Sequence, residues 1–199
     1  MTNIWLISDT HFRHSNIYKF LATDGTRVRK EFGDVAEGDA YMIAHWNALV
    51  KPQDHVWHLG DFCMGNPIWW LDVGPRLSGH KRIIPGNHDQ VPIDIYKKAG
   101  FQKLQGAKEI QIDGLRLLCS HYPLHPSSLF NRDWNIHGHT HEKPSPPSFV
   151  DDKGKHKGWF NVSVERIGYK PIHIEDLVKQ LKETTLKTGD QTGATEKEA

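Results

Sequence analysis

Residues 82–89, Arg82-Ile83-Ile84-Pro85-Gly86-Asn87-His88-Asp89, carry the pattern that decides the fold. A short apolar run reads as a buried strand. Here it ends in a glycine followed by three polar side chains that can hold a cation or move a proton. The same pattern recurs on both sides. Upstream, Ile4 to Ile7 leads into Ser8-Asp9-Thr10-His11, and His55 to Leu59 leads into Gly60-Asp61. Downstream, Leu115 to Ser120 leads into His121, and Trp134 to Ile136 leads into His137-Gly138-His139-Thr140-His141. Histidines scattered at random would not fall repeatedly just after buried strands. Strand ends meeting at one sheet edge are the general location of sites in folds with parallel strands, because the strand is rigid and the next loop faces solvent.

The donor types narrow the chemistry. Aspartate and histidine together suit borderline divalent metals such as Mn, Fe, Co, Ni and Zn. These strand-end motifs offer about seven such groups, too many for one tetrahedral zinc. Two metals sharing a carboxylate would use them all, and Asp61, on a strand central to the set, is the natural bridge. Gly60, Gly86 and Gly138 let the backbone approach such a site closely.

The whole chain is compatible with this. Its 199 residues fit one domain, expected over 1–183. A formal net charge of +1 gives no global footprint of a nucleic-acid binder. Fourteen histidines are an excess that raises the metal question, since neutral imidazole is the commonest metal ligand. Cys63 and Cys119 form no disulfide framework and read as buried thiols. No basic-then-apolar leader is seen at Met1-Thr2-Asn3, and no apolar stretch reaches the roughly 18 residues of a membrane span, so a cytoplasmic protein is expected.

Further elements follow from periodicity. Met42, Ile43, Trp46, Leu49 and Val50 fall at helical spacing, predicting a helix over about 35–50 that Pro52 stops. Residues 67–77 read as a helix capped by Asn66, and 93–98 as a short helix closed by Gly100. Asp113-Gly114 between two apolar runs predicts a hairpin of 108–112 with 115–120. Residues 13–34 and 142–158 read as loops, 160–164 and 172–174 as late strands, and 175–182 as a final helix. From 184 to 199 there is a single large apolar residue, Leu186, and a disordered tail is expected.

Taken in order, Asp9-x-His11, Gly60-Asp61, Gly86-Asn87-His88-Asp89, His121 and Gly138-His139-Thr140-His141 resemble the motifs of the calcineurin-like metallophosphoesterase family. The resemblance covers about residues 2–175. A softer similarity, Asn161-Val162-Ser163-Val164-Glu165 with Tyr169 and Pro171, looks like small stand-alone bacterial and phage members. The resemblance implies an α/β fold, a four-layer α-β-β-α sandwich with two mixed β-sheets. It implies that Asp9, His11 and His141 bind one metal, that Asn87, His121 and His139 bind a second, and that Asp61 bridges them. Two such cations, manganese first among the metals considered, would generate a bridging hydroxide for direct attack on phosphorus. His88 then falls to leaving-group protonation or charge stabilisation, and Asp89 to orienting its imidazole.

Substrate contacts are expected from Asn87, His14, Arg27, Arg29, His125 and Arg132. Arg13, Lys19, Arg27, Arg29 and Lys30 oppose a single acid, Asp24, over residues 13–30, a run that could steer an anion. The expected partner is a phosphate ester, with a nucleotide or nucleic-acid end as substrate and a diester preferred to a monoester. The rival reading is a catalytically silent member of the fold serving as a scaffold for protein or nucleic acid.

Overall fold

The protein is described here from a computed structural model, which covers residues 3–192. In chain order its elements are β1 (Ile4–Ile7), α1 (Val35–Leu49), β2 (His55–His58), α2 (Pro67–Val73), β3 (His80–Ile83), α3 (Ile93–Lys98), β4 (Phe101–Leu104), β5 (Lys108–Ile112), β6 (Leu115–Cys119), β7 (Trp134–His137), β8 (Phe149–Val150), β9 (His156–Asn161), α4 (Val164–Ile167), β10 (Ile172–His173) and α5 (Ile174–Thr192).

Two mixed five-stranded sheets form, in the orders β10-β1-β2-β3-β4 and β5-β6-β7-β9-β8. In the first, β1 to β4 run parallel and β10 is antiparallel. Each parallel neighbour is reached through a helix, as a parallel connection requires. In the second, β6, β7 and β9 are parallel, and β5 and β8 add antiparallel edges. This is the expected α/β architecture of two mixed sheets with helices.

Alternation along the strands assigns two cores. Ile7, Val56 and Ile83 face the helices, where Met42 and Trp46 of α1 and Trp70 and Val73 of α2 meet them. Leu6 and Trp57 face the other way, onto Leu117, Cys119, Trp134 and Ile136 of the second sheet and Leu177 and Leu181 of α5. The first sheet is thus buried on both faces, which is why its strands read as apolar runs. Over the far face of the second sheet lies the 122–130 segment: Trp159 Nε1 donates to the Leu124 carbonyl (2.9 Å), and Leu124 N donates to Asn135 Oδ1 (2.8 Å).

Local signals mostly hold. Asp34 caps α1 by accepting from Glu37 N (3.0 Å), and Asn66 caps α2 by accepting from Ile68 N (3.0 Å). The Asp113-Gly114 hairpin pairs Ile112 with Leu115. Both cysteines are free and buried.

Four expectations change. The strand β4 was not anticipated, because only Phe101 of its four residues is buried and no alternation marks it. The strand expected at 160–164 begins at His156 and ends at Asn161, and Val164 opens α4. Residues 142–158 include the hairpin arm β8, tied by Asp151 Oδ1 accepting from Lys153 N and Lys155 N. Finally, α5 runs on to Thr192, so 184–192 are helical where disorder was expected; 193–199 lie outside the described residues. Among the described residues no helix is long and apolar enough to cross a membrane.

Candidate metal centre

The ends of β1, β2, β3, β6 and β7 meet at the seam between the sheets. Three main-chain bonds stitch neighbouring loops in register: Asp9 N to Gly60 O (2.9 Å), His11 N to Asp61 O (3.0 Å) and Gly138 N to His121 O (2.9 Å). Ser8 N also donates to Val162 O (2.9 Å), joining the first sheet to the second. Side chains reinforce the seam, with His121 Nδ1 2.8 Å from Leu59 O and His139 N donating to Asp9 Oδ2 (2.9 Å).

Two donor groups result. Asp9, His11 and His141 form one, with their ligand atoms within 4.8 Å of one another; Asp61, His121 and His139 form the other, equally tight. Asn87 Oδ1 lies 3.1 Å from His121 Nε2, beside the second group. Asp61 belongs to both by position: its Oδ2 is 3.5 Å from His11 Nε2 and 3.5 Å from His121 Nε2. Five of these six residues, Asp9, His11, Asp61, His139 and His141, have positive φ values between 46° and 68°. Aspartate and histidine tolerate this region better than most residues, yet such backbone persists only where the surroundings over-determine it, and it concentrates at functional sites. The adjoining Gly60 has φ +98°, and a Cβ there would strike the Gly86 backbone and the His121 ring.

Whether the donors fit a cation can be judged from unmet polar atoms. Asp9 Oδ1 and both ring nitrogens of His11 are buried without a hydrogen-bond partner among the described residues. Orphaned donors and acceptors of this kind are costly unless something satisfies them. A cation at the first group would do so, and the Asp, His and Asn donors of the two groups are of the borderline type.

The electrostatics divide: Asp61 and His11 are in the ionisation state a ligand needs, whereas the acids around His141 favour its protonated form, whose proton a cation would have to displace. Burial opposes ionisation of Asp61, but the hydrogen bond and charge of His121, with His11 and the His88 N–H, hold its carboxyl well below the usual range. Burial holds the His11 ring neutral, lowering its pKa well below 6.5, as a metal ligand requires. Burial also lowers His141, but Glu165 and Asp9 outweigh it and raise it to about 9.

Two residues of this arrangement went unassigned in the sequence. Glu165, at the start of α4, has Oε1 3.2 Å from His141 Nδ1 and accepts from Arg29 Nε (2.9 Å). Its only sequence signal was its place in the Asn161-to-Glu165 stretch. Tyr122 packs on the His121 and His139 rings at 4.9 and 4.5 Å, with its hydroxyl 3.4 Å from Asn87 Oδ1. It is 47% exposed, and nothing in its local sequence marks it.

The other expected site residues divide. His88 is exposed beside the groups, its ring 5.4 Å from that of His11 and its backbone N–H donating to Asp61 Oδ1 (2.9 Å). His14 also lines the cleft, its ring 5.4 Å from His11. Asp89 is corrected: it does not orient the His88 imidazole. Its carboxylate accepts from Asp61 N (2.7 Å), Phe62 N (2.9 Å) and Gly86 N (2.9 Å), so it braces the loops instead.

Arg29 is corrected too. It is fully buried, donating to the carbonyls of Asp9 (2.7 Å) and Thr10 (2.9 Å) as well as to Glu165, and presents nothing to a substrate. Arg132 pairs with Glu109, and His125 caps a turn by accepting from Ser127 N (3.3 Å). Arg27 is exposed, opposite Leu21 in a small bridge. None of these three lines the cleft.

Two groups of candidate metal-binding residues thus lie at the seam of a two-sheet sandwich, and the sequence matches a phosphoesterase domain. The chain belongs to the calcineurin-like phosphoesterase superfamily, whose domain model matches residues 2–156. It is 32% identical over 182 residues to an uncharacterized protein of Methanocaldococcus jannaschii, covering 90% of this chain and 91% of that one. It is 28% identical over 217 residues to the gene 66 protein of Mycobacterium phage L5, covering 92% and 97%. Among solved structures, a protein of unknown function from Aquifex aeolicus superposes with TM-score 0.68 at 28% identity, covering 90% of this chain and 100% of that one.

Proposed function

We propose that this chain hydrolyses a phosphodiester, with a nucleotide or nucleic-acid end as substrate, at a centre of two divalent cations. The observation that carries the reading is the equal 3.5 Å separation of Asp61 Oδ2 from His11 Nε2 and His121 Nε2. One carboxylate oxygen equidistant from a donor of each group suits a shared ligand. Asp9, His11 and His141 would hold one cation, Asn87, His121 and His139 the other, with Asp61 common to both. When bound, the pair would supply Lewis-acid charge for the phosphoryl oxygens and lower the pKa of a water.

The remaining work falls to the chain's own side chains. His88 is exposed, its backbone N–H donates to Asp61 and its ring packs edge-on against His11, which puts its imidazole beside the donor groups where a phosphate would bind. It gives a proton to the departing oxygen, a role typically worth about 10²–10⁴-fold. Asp89 and Glu165 act as positioning residues, one through the Asp61 loop and one through His141. A diester is favoured by the shape of the cleft. Phe20 and His14 stand beside His11, and Tyr122 packs on His121 and His139, so an aromatic group is available to a substituent near each donor group.

Manganese is the expected cation, with Fe, Ni, Co and Zn as alternatives. The test is hydrolysis of a chromogenic phosphodiester by protein loaded with manganese, nickel or zinc, alongside His88→Ala. The variant should lose more on an ester with a poor leaving group than on one with a good leaving group. Equal losses would remove the acid role from His88. A fully loaded wild type that leaves every phosphate ester intact would end the enzymatic reading.

A further inference from the structure

Beside the candidate metal centre a recess of about 490 Å³ opens between residues 14–28 and the His139–Lys143 loop. Its far wall is apolar: Ile17, Phe20, Leu21, Val28 and Met64. Phe20 is 51% exposed and Leu21 65% exposed, so two large apolar side chains stand uncovered next to a polar site. The nearer wall is polar, formed by Thr140, Glu142 and Lys143, and the floor is shared with His11, His88 and His141.

This wall is a built feature. Val28 N donates to Phe20 O (2.9 Å) and Ala22 N to Thr26 O (2.8 Å), closing a small hairpin. Asp24 Oδ1 pins the tip by accepting from Thr26 N (2.9 Å) and Thr26 Oγ1 (2.7 Å). One residue past Val28, Arg29 bolts the hairpin to the carbonyls of Asp9 and Thr10. The recess wall and the metal-ligand loop are therefore one mechanical unit. The His14 ring meets Phe20 edge-on (5.8 Å, 81°) and makes the wall aromatic where it approaches the centre.

A group filling this recess is joined to whatever sits at the shared floor. One face of that group must be apolar and its opposite edge must hydrogen-bond. Those are the demands of a planar heteroaromatic ring, and pockets of roughly 300–1,000 Å³ with this mix of walls are ordinary small-molecule sites. A sugar phosphate would leave the apolar wall wet, and an aliphatic chain would leave the polar edge unpaired.

We propose that the Phe20–Val28 hairpin forms a base-binding subsite, in which Phe20 stacks on the nucleobase of a nucleotide whose phosphate lies at the metal centre. The proposal rests on the phosphoesterase reading for where the phosphate lies. Stacking of a base on an aromatic side chain corresponds to about 5- to 150-fold in affinity.

The test is calorimetric binding of adenosine 5′-monophosphate and ribose 5-phosphate to manganese-loaded protein, as wild type, Phe20→Ala and Phe20→Tyr. The nucleotide should bind wild type about 5- to 150-fold more tightly than the sugar phosphate. Phe20→Ala should erase that advantage without changing the sugar phosphate, and Phe20→Tyr should keep it. Phe20 is half exposed, so these changes leave the core intact; Leu21→Ser provides a second lesion of the same wall and should shrink the advantage. Equal binding of the two ligands by wild type, or an advantage that survives in Phe20→Ala, would overturn the subsite. Hydrolysis of a chromogenic diester on the same samples separates the two readings. A base advantage without hydrolysis keeps the subsite and removes the activity, and hydrolysis without a base advantage does the reverse.

Discussion

Glu165 joins Arg29 at 2.9 Å in a fully buried ion pair, and the same carboxylate oxygen lies 3.2 Å from Nδ1 of His141. The two residues are 136 positions apart in the chain. Through them the 13–34 insertion, the first ligand loop and the last ligand loop share one electrostatic anchor. Removing one partner of a buried pair leaves an uncompensated charge. Glu165→Ala should therefore lose about 3–5 kcal/mol in a denaturant titration. The milder Glu165→Gln keeps a hydrogen-bonding group at His141 but not the charge. It should weaken metal binding by about 10–100-fold, the usual effect of losing a carboxylate behind a ligating histidine. Unchanged metal affinity in Glu165→Gln would limit Glu165 to stability.

Gly138 sits where any side chain would collide with the centre. A Cβ there would run into Ser8 Oγ and Asp9 Oδ2. Asp9 Oδ2 already takes His139 N and Ser163 Oγ, each at 2.9 Å, and cannot retreat without breaking both bonds. Gly138→Ala should cost about 1–3 kcal/mol of stability, as overpacking does, and should cut metal affinity by more than that loss alone explains. Circular dichroism melts and metal titration on one sample separate the two effects.

Metal removal supplies the third prediction. A ligand that binds only the native state stabilises by about 2.7 kcal/mol when free at a hundred times its Kd. For a chain of this size that is a rise in Tm of about 5–10 °C over the chelated protein. Titration should saturate at two cations in wild type and at one in His11→Ala. Asp61→Asn, which weakens both sites together, should lose most of the thermal shift. A wild type that binds a single cation would refute the shared-carboxylate arrangement.

Asp39, on α1, gives a pH-dependent stability. Burial raises its pKa from 3.8 to about 6, against the pull of the Arg13 N–H and charge and of Arg29 and Arg76. The folded state thus holds this proton more tightly than the unfolded state. Its contribution is full below pH 3.8 and is lost as pH rises through about 6. Asp39→Asn, which cannot ionise, should be insensitive to that change. The stability of wild type relative to Asp39→Asn should fall by about 1–3 kcal/mol between pH 4 and pH 7.5. Parallel urea curves at the two pH values would check it, and a constant difference would disprove it.

Much of the site was legible because ligand residues follow buried strands, and strands announce themselves locally. Ile83-Ile84 before Gly86-Asn87, or Trp134-Asn135-Ile136 before Gly138-His139, is a signal within ten residues. The alternation of Val56 and Trp57 between two cores likewise follows from pleat geometry. What was misread has no local signature. Arg29 sits in a run of basic residues that looks solvated, and only the arrival of Glu165 from the far end of the chain makes its burial tolerable. Asp89 is next to His88 in sequence, yet its carboxylate turns away to three backbone amides that the β2 and β3 ends bring together. Tyr122 and Phe20 look like ordinary aromatics until the fold sets Tyr122 on the His121 and His139 rings and Phe20 against His14.

The two-sheet arrangement was what the resemblance to the family implied; the amino-acid sequence alone determined the positions of the strand ends and the metal-capable residue types that follow them. Each depends on periodicity and residue type over a few neighbours, where the chain's own stereochemistry sets the answer. Tertiary structure alone decided which arginine is an anchor, which carboxylate braces the loops and which aromatics stand exposed beside the centre. Those are matters of distance between segments far apart in the chain and of burial, and both come into being only when the sheets close on each other.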